Sequence, residues 1–411
     1  MKKLLAISWC FPPMIYPRSI QVSRLLAALT NHGWQPDVVC VDPSSLRSDQ
    51  LLDESLNRPA GGLVKKFQVA SLEDWMLVRG LIRLIPAFGV LPDPKWVWKN
   101  AAFHKCASLK ASIKYSAFIS FAQPWTDHLV GLQLKELTGL PWIAHFSDPW
   151  ADSPYVDTSR WVMQKRLEME TTVIKNADAA IFVSEQTADL VMKKYPAEWL
   201  SKVHIIPHGF EPLPTQEILP QQPDKLLELV YTGGFYGNRT PEPLLQAIFE
   251  VQKNEDYQKS FRIRFIGPIP PTYQQLAERL GIKNCIFEGP STHAKSQKAC
   301  QNADVLLLID APSDSPSVFL PSKLVDYLAF NKPILGITPT QGASADLLHI
   351  LGFPTVDPSD RSGIAAHIRS LVDANRIGRL SLPDGFAATA GQYQIENAAA
   401  KLDQVLEKIT L

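Results

Sequence analysis

The chain has 411 residues, and at roughly 100 to 200 residues per domain this length predicts two or three domains. It is 45% hydrophobic and 20% charged, with 41 basic and 41 acidic residues and a formal net charge of zero. Nucleic-acid-binding proteins usually carry a basic excess, so this balance argues against that class.

The first half alternates short apolar runs with amphipathic segments. Residues 3–9 predict a buried strand, because this run is too brief for a signal peptide and no small-residue cleavage site follows it. Residues 18–34 have apolar positions at helical spacing, and "PDVVCV" at 36–41 reads as the next strand. Such a β-α-β unit predicts a parallel sheet covered by helices on both faces. Further strands are predicted at 117–122, 141–146, 179–184 and 203–209.

A proline-rich stretch at 212–224 predicts a linker, because proline disrupts regular elements. We therefore predict an N-terminal domain over 1–211 and a C-terminal domain over 225–385, where the alternation of strands and helices resumes. The stretch 386–411 reads as an amphipathic helix. Its pattern fits equally a last helix of the second domain and a helix returning to the first.

The predicted fold is α/β, with two tandem doubly wound, Rossmann-like domains facing each other across a cleft. Ligands of such sheets bind outside the carboxyl ends of the strands. The turns from strand to helix are therefore where functional residues are expected.

Two of these turns lie in the first domain. In "FPPMIYPRSIQ" a helix begins near Arg18 and Ser19, which are expected to face the acceptor, although a purely structural turn fits equally well. In "WIAHFSDPW" a strand ends near His145, with Asp148 three residues further on. A histidine and a carboxylate in such a loop are candidate catalytic residues, although a structural histidine is also common there.

The second domain opens with "LVYTGGFYGNRTPEPLLQAI", a strand, a glycine turn and a helix start. Gly233 and Gly234 do not fit the G-x-G-x-x-G spacing of a dinucleotide site. Backbone amides and the positive end of a helix favour an anion, and Arg239 adds a guanidinium at the same turn. We predict a phosphate site here; the alternative is a turn that merely needs glycine.

A second group of donor-binding candidates follows in "SVFLPSKLVDYLAFNKPILG". Ser322 and Lys323 open a helix, and Asp326 lies one turn further along the same face. A carboxylate there is placed to accept hydrogen bonds from ribose hydroxyls. The loop after "FRIRFIG", at Gly267, is expected to contribute to binding of the nucleotide.

Taken over nearly the whole chain, these motifs resemble those of glycosyltransferase family 4, retaining enzymes of GT-B fold that use nucleotide-diphosphate sugars. The resemblance aligns the family's two acidic residues with Val318 and Asp326, so only the ribose contact is retained. The first place of the family's basic pair falls on Phe235, with Arg239 and Lys323 supplying the charge. His208 in "VHIIPHGFE" stands where the family has asparagine, and His145 is similar to its histidine near the reaction centre.

The resemblance implies transfer of a sugar from a UDP-type or GDP-type donor to a saccharide or lipid-linked hydroxyl, in polysaccharide, lipopolysaccharide or glycolipid assembly. The chain has no D-x-D motif, and cationic side chains with helix dipoles can neutralise a diphosphate, so we expect neither a metal nor another cofactor. Two other classes remain open: a nucleotide-sugar epimerase and a non-catalytic nucleotide-sugar-binding protein.

Residues 73–98 are apolar, with Arg79 and Arg83 on one helix face and tryptophans towards both ends. They could contact a membrane surface near a lipid-linked acceptor. A buried helix and loop is the alternative, which zero net charge favours.

The five cysteines form no C-x-x-C pair, which indicates a reducing compartment. No stretch approaches the ~18 apolar residues of a membrane span. The expected location is the cytoplasm, with peripheral contact at the inner face of the membrane if residues 73–98 bind lipid.

Overall fold

The structure is a computed structural model that describes residues 1–47, 52–57, 63–153, 159–213 and 225–411. The chain forms two compact units. The N-terminal unit comprises Met1–Gly209 and Ile395–Leu411, and the C-terminal unit comprises Phe210–Gln394. Of the predicted linker at 212–224, residues 214–224 lie outside the described ranges.

The N-terminal unit is built on a parallel sheet, as its apolar strands predict. Within the described residues this sheet has seven strands in the order β3-β2-β1-β4-β5-β6-β7. The central strands β4 and β5 are buried along their whole length, because helices cover both faces of the sheet. The strands are β1 (Lys2–Ile7), β2 (Trp34–Val41), β3 (Lys65–Val69), β4 (Ala117–Ala122), β5 (Trp142–Phe146), β6 (Ala179–Phe182) and β7 (Val203–Ile205).

The helices of this unit connect successive strands and carry their own start signals. Ser159 and Ser184 accept hydrogen bonds from the backbone of the helices that they precede, which satisfies amide groups left open at a helix start. The helices are α1 (Pro17–Leu29), α2 (Met76–Leu84), α3 (Lys99–Ser112), α4 (Thr126–Thr138), α5 (Arg160–Asn176) and α6 (Glu185–Met192). Short 3-10 helices cover Thr30–His32, Pro43–Ser45, Glu54–Asn57, Pro86–Gly89, Trp96–Trp98 and Ala197–Lys202.

The C-terminal unit repeats this plan. Its described residues form a parallel sheet of six strands in the order β10-β9-β8-β11-β12-β13. The strands are β8 (Leu227–Thr232), β9 (Phe261–Ile266), β10 (Cys285–Phe287), β11 (Val305–Ile309), β12 (Ile334–Ile337) and β13 (Thr355–Val356). The helices are α7 (Glu242–Val251), α8 (Glu255–Gln258), α9 (Pro271–Arg279), α10 (His293–Asn302), α11 (Ser322–Leu328), α12 (Ala343–Ile350), α13 (Arg361–Arg376) and α14 (Phe386–Gly391). The predicted fold class, two Rossmann-like α/β units, is confirmed.

The last helix, α15 (Ile395–Thr410), belongs to the N-terminal unit. Its apolar face, including Leu402 and Leu406, packs with Leu26 of α1 in one hydrophobic cluster. The indole Nε1 of Trp34 donates to Asp403 Oδ1 at 2.8 Å. Of the two placements that the sequence allowed, the return to the first unit is the one observed for this helix, whereas α14 stays in the C-terminal unit.

Helix α2 differs from the other α-helices of its unit because none of its residues is buried. The alternative of a buried helix is therefore wrong for α2, although Trp98, at the end of the same predicted segment, is fully buried. None of the helices in the described ranges combines the length and the apolarity that a membrane crossing requires.

Candidate functional site

The glycine turn of the C-terminal unit lies where the strand order changes direction. Strands β8 and β11 are neighbours in the sheet, and Gly233 and Asp310 are the first residues after them. In doubly wound sheets this switch point is where ligands bind, outside the carboxyl ends of the strands. The position of Gly233 therefore agrees with a ligand site.

Gly233 and Gly267 bring two strand ends into backbone contact. The Gly233 amide donates to the Ile266 carbonyl at 2.8 Å. Both glycines have positive φ, +115° and +144°. A Cβ on Gly267 would lie 2.5 Å from the Gly233 carbonyl oxygen, which is far too close. Only glycine can occupy this position, so the turns after β8 and β9 form one backbone surface.

Lys323 places a cation against this surface. It is the second residue of α11, and its Nζ lies 3.7 Å from the centroid of the Tyr231 ring. A Cβ on Gly233 would be 3.0 Å from the same Nζ, so the ammonium group reaches the glycine turn. Burial, followed by the positive charge of Arg239, lowers the pKa of Lys323 from 10.5 to about 7. A site that disfavours its own cation is suited to gain an anion.

Arg239 is held beside Lys323 by a carboxylate that the sequence did not single out. Arg239 Nη2 lies 3.0 Å from Asp310 Oδ1, and its guanidinium stacks 5.0 Å from the Tyr236 ring centroid. The other oxygen of Asp310 accepts hydrogen bonds from Thr338 Oγ1 at 3.1 Å and Ser344 Oγ at 2.9 Å. A buried carboxylate with three partners fixes the position of the arginine. Its signal in the sequence was an aspartate directly after the apolar run "VLLLI".

The other predicted donor-binding residues lie close in sequence to this cluster. Ser322 is the first residue of α11 and Asp326 lies one helical turn later; both are half-buried. Gly234 packs closely against Pro268: a Cβ on Gly234 would lie 3.2 Å from the Pro268 carbonyl oxygen. Val318 follows Ser317, whose backbone pairs with that of Gly342 at the start of α12.

In the N-terminal unit, Arg18 and His145 form a buried pair. Arg18 Nη2 lies 3.0 Å from His145 Nδ1 and donates to the His145 carbonyl at 3.1 Å. A guanidinium can only donate, so Nδ1 accepts and the proton of the neutral ring is on Nε2. Burial, and then the Arg18 charge, lower the pKa of His145 well below its usual 6.5. His145 is therefore a neutral hydrogen-bond donor through Nε2.

Asp148 lies near Arg18, whereas Ser19 is buried and does not face an acceptor as predicted. Asp148 Oδ2 accepts from Ser147 Oγ at 2.9 Å and from Gln123 Nε2 at 3.3 Å. Its charge raises the pKa of Arg18, while burial has the larger effect and lowers it to about 10. The Ser19 side chain is completely buried, so it has no surface open to an acceptor in this conformation.

His208, at the position where the family that the sequence resembles has asparagine, lines a small pocket together with Arg18 and His145. Burial and the Arg18 charge lower its pKa to about 3. Two histidines and one arginine therefore meet with only the arginine charged.

We expect Arg18→Met to change the pH dependence of His145. Without the guanidinium, the pKa of His145 rises toward 6.5 and Nδ1 loses its fixed donor. Burial still lowers the pKa of His145 in the variant, so its neutral form persists to a less acidic limit than in the wild type, and activity should fall about tenfold per pH unit below the new pKa. The ¹⁵N shifts of the imidazole, recorded against pH, report both changes.

Arg24→Met, which removes another buried arginine of α1, is the control and should leave the His145 resonances unchanged. A flat pH profile for Arg18→Met, with the Nε2–H tautomer retained, would show that Arg18 does not position His145.

Comparisons with known proteins concern the family and the fold. The family model described as Glycosyltransferase Family 4 matches residues 19–212, which is most of the N-terminal unit apart from its first strand and last helix. No curated protein matches the sequence.

Three solved structures illustrate the fold. Sucrose-phosphate synthase from Thermosynechococcus elongatus matches with a TM-score of 0.70 at 16% identity, over 99% of both chains. Anabaena Alr3699/HepE in complex with UDP and glucose gives 0.60 at 14% identity, over 99% of this chain and 100% of that one. A structure described as trehalose-6-phosphate from E. coli bound with UDP-2-fluoro glucose gives 0.64 at 15% identity, over 99% of both.

At 14–16% identity the structural matches show the fold alone. The family match is a match of the amino-acid sequence over residues 19–212. The predicted resemblance and fold class are confirmed, and together they support a glycosyl transferase enzyme. Residues 19–212 match glycosyltransferase family 4, and the chain as a whole has the two-unit GT-B fold.

Proposed function

We propose that this protein transfers a sugar from a nucleotide-diphosphate sugar to a hydroxyl acceptor with retention of configuration. The carrying observation is that the Lys323 ammonium reaches the glycine turn at Gly233, with the Arg239 guanidinium held close enough to Lys323 to affect its pKa. The Lys323 cation at a switch point beside a glycine turn, with the Arg239 donors fixed next to it by Asp310, suits the diphosphate of a nucleotide sugar.

The chemistry follows from where charge develops. As the sugar departs, negative charge builds on the diphosphate oxygen, and the Lys323 ammonium is preorganised to stabilise it. One such donor contributes roughly 3 kcal/mol in comparable oxyanion sites. We propose that Ser322 adds a helix-start hydrogen bond and that Asp326 binds the ribose. This arrangement uses the protein's own cations for charge neutralisation, and the expectation that no metal is required stays a prediction.

In the N-terminal unit, His145 and Asp148 are the proposed catalytic residues and Arg18 the residue that positions His145. A neutral imidazole donating through Nε2 can hydrogen-bond a hydroxyl of the sugar or acceptor without adding charge. No carboxylate is assigned as a covalent nucleophile.

A uridine donor is favoured over guanosine because two of the similar structures contain UDP or a UDP sugar. The acceptor is proposed to be a saccharide or a lipid-linked sugar, in polysaccharide, lipopolysaccharide or glycolipid assembly. The proposal includes contact of residues 73–98 with a membrane. For a protein expected in the cytoplasm, this membrane face would be the inner one.

A thermal-shift titration with UDP, GDP, ADP and NAD, with and without Mg²⁺, tests the donor class. A ligand at ~100 times its Kd adds about 2.7 kcal/mol of stability, and we expect UDP to give such a shift without metal. Asp326→Ala should lose most of it, while Asp346→Ala, on a neighbouring helix, should retain it. If no nucleotide raises the transition temperature, the proposed site is wrong.

Product analysis separates the remaining classes. Incubation with the donor alone yields a second sugar isomer only if the protein is an epimerase. Binding of UDP without turnover over a broad range of acceptors would favour a non-catalytic protein, for which Val318 at an otherwise acidic position would be the sequence signal.

A further inference from the structure

Helix α2 presents an apolar surface that the proposed donor site does not use. Met76, Leu77 and Leu84 are 87%, 77% and 82% exposed, and no residue of the helix is buried. Single exposed leucines are ordinary on protein surfaces. Three large side chains so exposed on one nine-residue helix are a feature that soluble surfaces usually avoid, and they indicate an interaction site.

The exposed side chains share one side of the helix. At about 100° per residue, Met76, Leu77 and Leu84 fall within a sector of about 100°. Arg83 and then Arg79 border this sector on one side, and both are exposed. The helix contains no acidic residue. We call these five residues the α2 patch.

The opposite side of α2 faces the protein. Val78, Leu81 and Ile82 lie in the remaining sector and are half-buried. Packing of Val78, Leu81 and Ile82 against the protein therefore fixes the orientation of the helix, and the α2 patch on the other side points outward.

Residues beside α2 extend the apolar surface. Trp75, directly before the helix, is 59% exposed, and Leu72 and Ile85 are 45% and 46% exposed. Tryptophan is enriched where proteins meet the headgroup region, because the indole is apolar with one polar N–H group. The 3-10 helix Pro86–Gly89 then leads back to the folded unit.

We propose that the α2 patch, with Trp75, rests on an anionic phospholipid surface. Apolar side chains bordered by arginines are the composition of helices that lie in the membrane interface. A helix of nine residues is about 14 Å long and by itself is too small for the 1,200 Å² or so that a stable protein interface buries, whereas a lipid surface needs no matching partner. Binding of α2 to lipid is inferred from the helix itself. Only the link between this contact and a lipid-linked acceptor rests on the proposed function.

A second helix lies next to this region. Arg166 of α5 donates to the Val90 carbonyl at 3.1 Å, which ties α5 to the loop after α2. The first turn of α5 carries Trp161 and Met163, which are 55% and 50% exposed. These two residues are the next candidates for membrane contact.

Flotation with vesicles of phosphatidylcholine, with and without phosphatidylglycerol, tests the proposal on the full chain. We expect the wild type to float with the anionic vesicles at low salt and to detach at high salt. Arg79→Glu with Arg83→Glu should reduce partitioning by at least about 25-fold, since each arginine near such a surface contributes about fivefold. Leu77→Gln with Leu84→Gln should reduce it comparably.

Leu137→Gln with Leu200→Gln is the matched control, because these leucines of the same unit are 61% and 53% exposed but lie outside α2. Failure of the wild type to float with anionic vesicles overturns the proposal. So does self-association without lipid that Leu77→Gln with Leu84→Gln abolishes, because a second copy would then cover the patch. The UDP thermal shift tests the donor site independently of flotation. A wild type that floats but shows no UDP shift would reject the donor site and still support the α2 patch, and the α2 variants should keep the UDP shift.

Discussion

Lys323→Met should lower kcat/KM for sugar transfer by about 100-fold to 1,000-fold, which is the usual effect of removing one preorganised donor from a developing oxyanion. The lysine Nζ lies against the glycine turn, and burial has already lowered its pKa to about 7. The lowered pKa means that the charged form is costly in the absence of donor. The variant should therefore unfold at the same or a higher temperature than the wild type while losing activity.

The control for this variant is Lys298→Met, which removes an exposed lysine of the same unit. Transfer by Lys323→Met within about twofold of wild type would show that the diphosphate binds elsewhere. A large loss of stability in Lys323→Met would contradict the direction of its pKa shift.

The same lysine makes donor binding depend on pH. A diphosphate requires the charged ammonium, so above pH 7 binding must take up a proton, and the observed Kd should rise up to tenfold per pH unit. From pH 7 to 8.5 this amounts to about a fifteenfold loss of UDP affinity, in a range where the phosphates are already ionised. Calorimetry in buffers of different ionisation enthalpy measures the proton uptake directly. Lys323→Arg should remove the pH dependence even if it binds UDP more weakly.

The alternation of strands and helices was readable from the sequence because parallel strands buried on both faces form continuous apolar runs. The destination of α15 was not, because its amphipathic pattern shows that one face is buried but not against which core. Helix α2 was ambiguous for a related reason. An apolar segment predicts burial by default, and only the exposure of Met76, Leu77 and Leu84 in the folded chain shows that these side chains point outward.

The candidate site shows the same division between local and long-range information. Gly233, Lys323 and Arg239 could be proposed from single turns, because glycine after a strand and a lysine at a helix start have local signatures. The pairing of Arg239 with Asp310 spans 71 residues and depends on β8 and β11 being neighbours, which their order in the sequence does not reveal. The buried pair of Arg18 and His145 spans 127 residues and was likewise not predicted.

Gly267→Ala should destabilise the C-terminal unit by about 3 to 5 kcal/mol, in the range reserved for mutations that force the backbone to move. The added Cβ would lie 2.5 Å from the Gly233 carbonyl oxygen at a φ of +144°, and neither group is the end of a flexible side chain. Chemical denaturation of the full chain, followed by a probe of this unit, measures the loss. UDP binding should fail even where the variant remains folded, because relief of the contact displaces Gly233.

Gly237→Ala separates this effect from the general cost of replacing glycine. Gly237 lies shortly after Gly233 in the segment that follows β8 and also has positive φ, +59°, but a Cβ there meets no atom within 4 Å. Its replacement should cost only about 1 kcal/mol and leave UDP binding intact. Equal losses in the two variants would mean that the contact between Gly233 and Gly267 is not what shapes the donor site. If only Gly267→Ala loses stability and UDP binding, one backbone contact has two effects. The contact between the carboxyl ends of β8 and β9 then both stabilises the sheet and places the phosphate-binding turn next to Lys323.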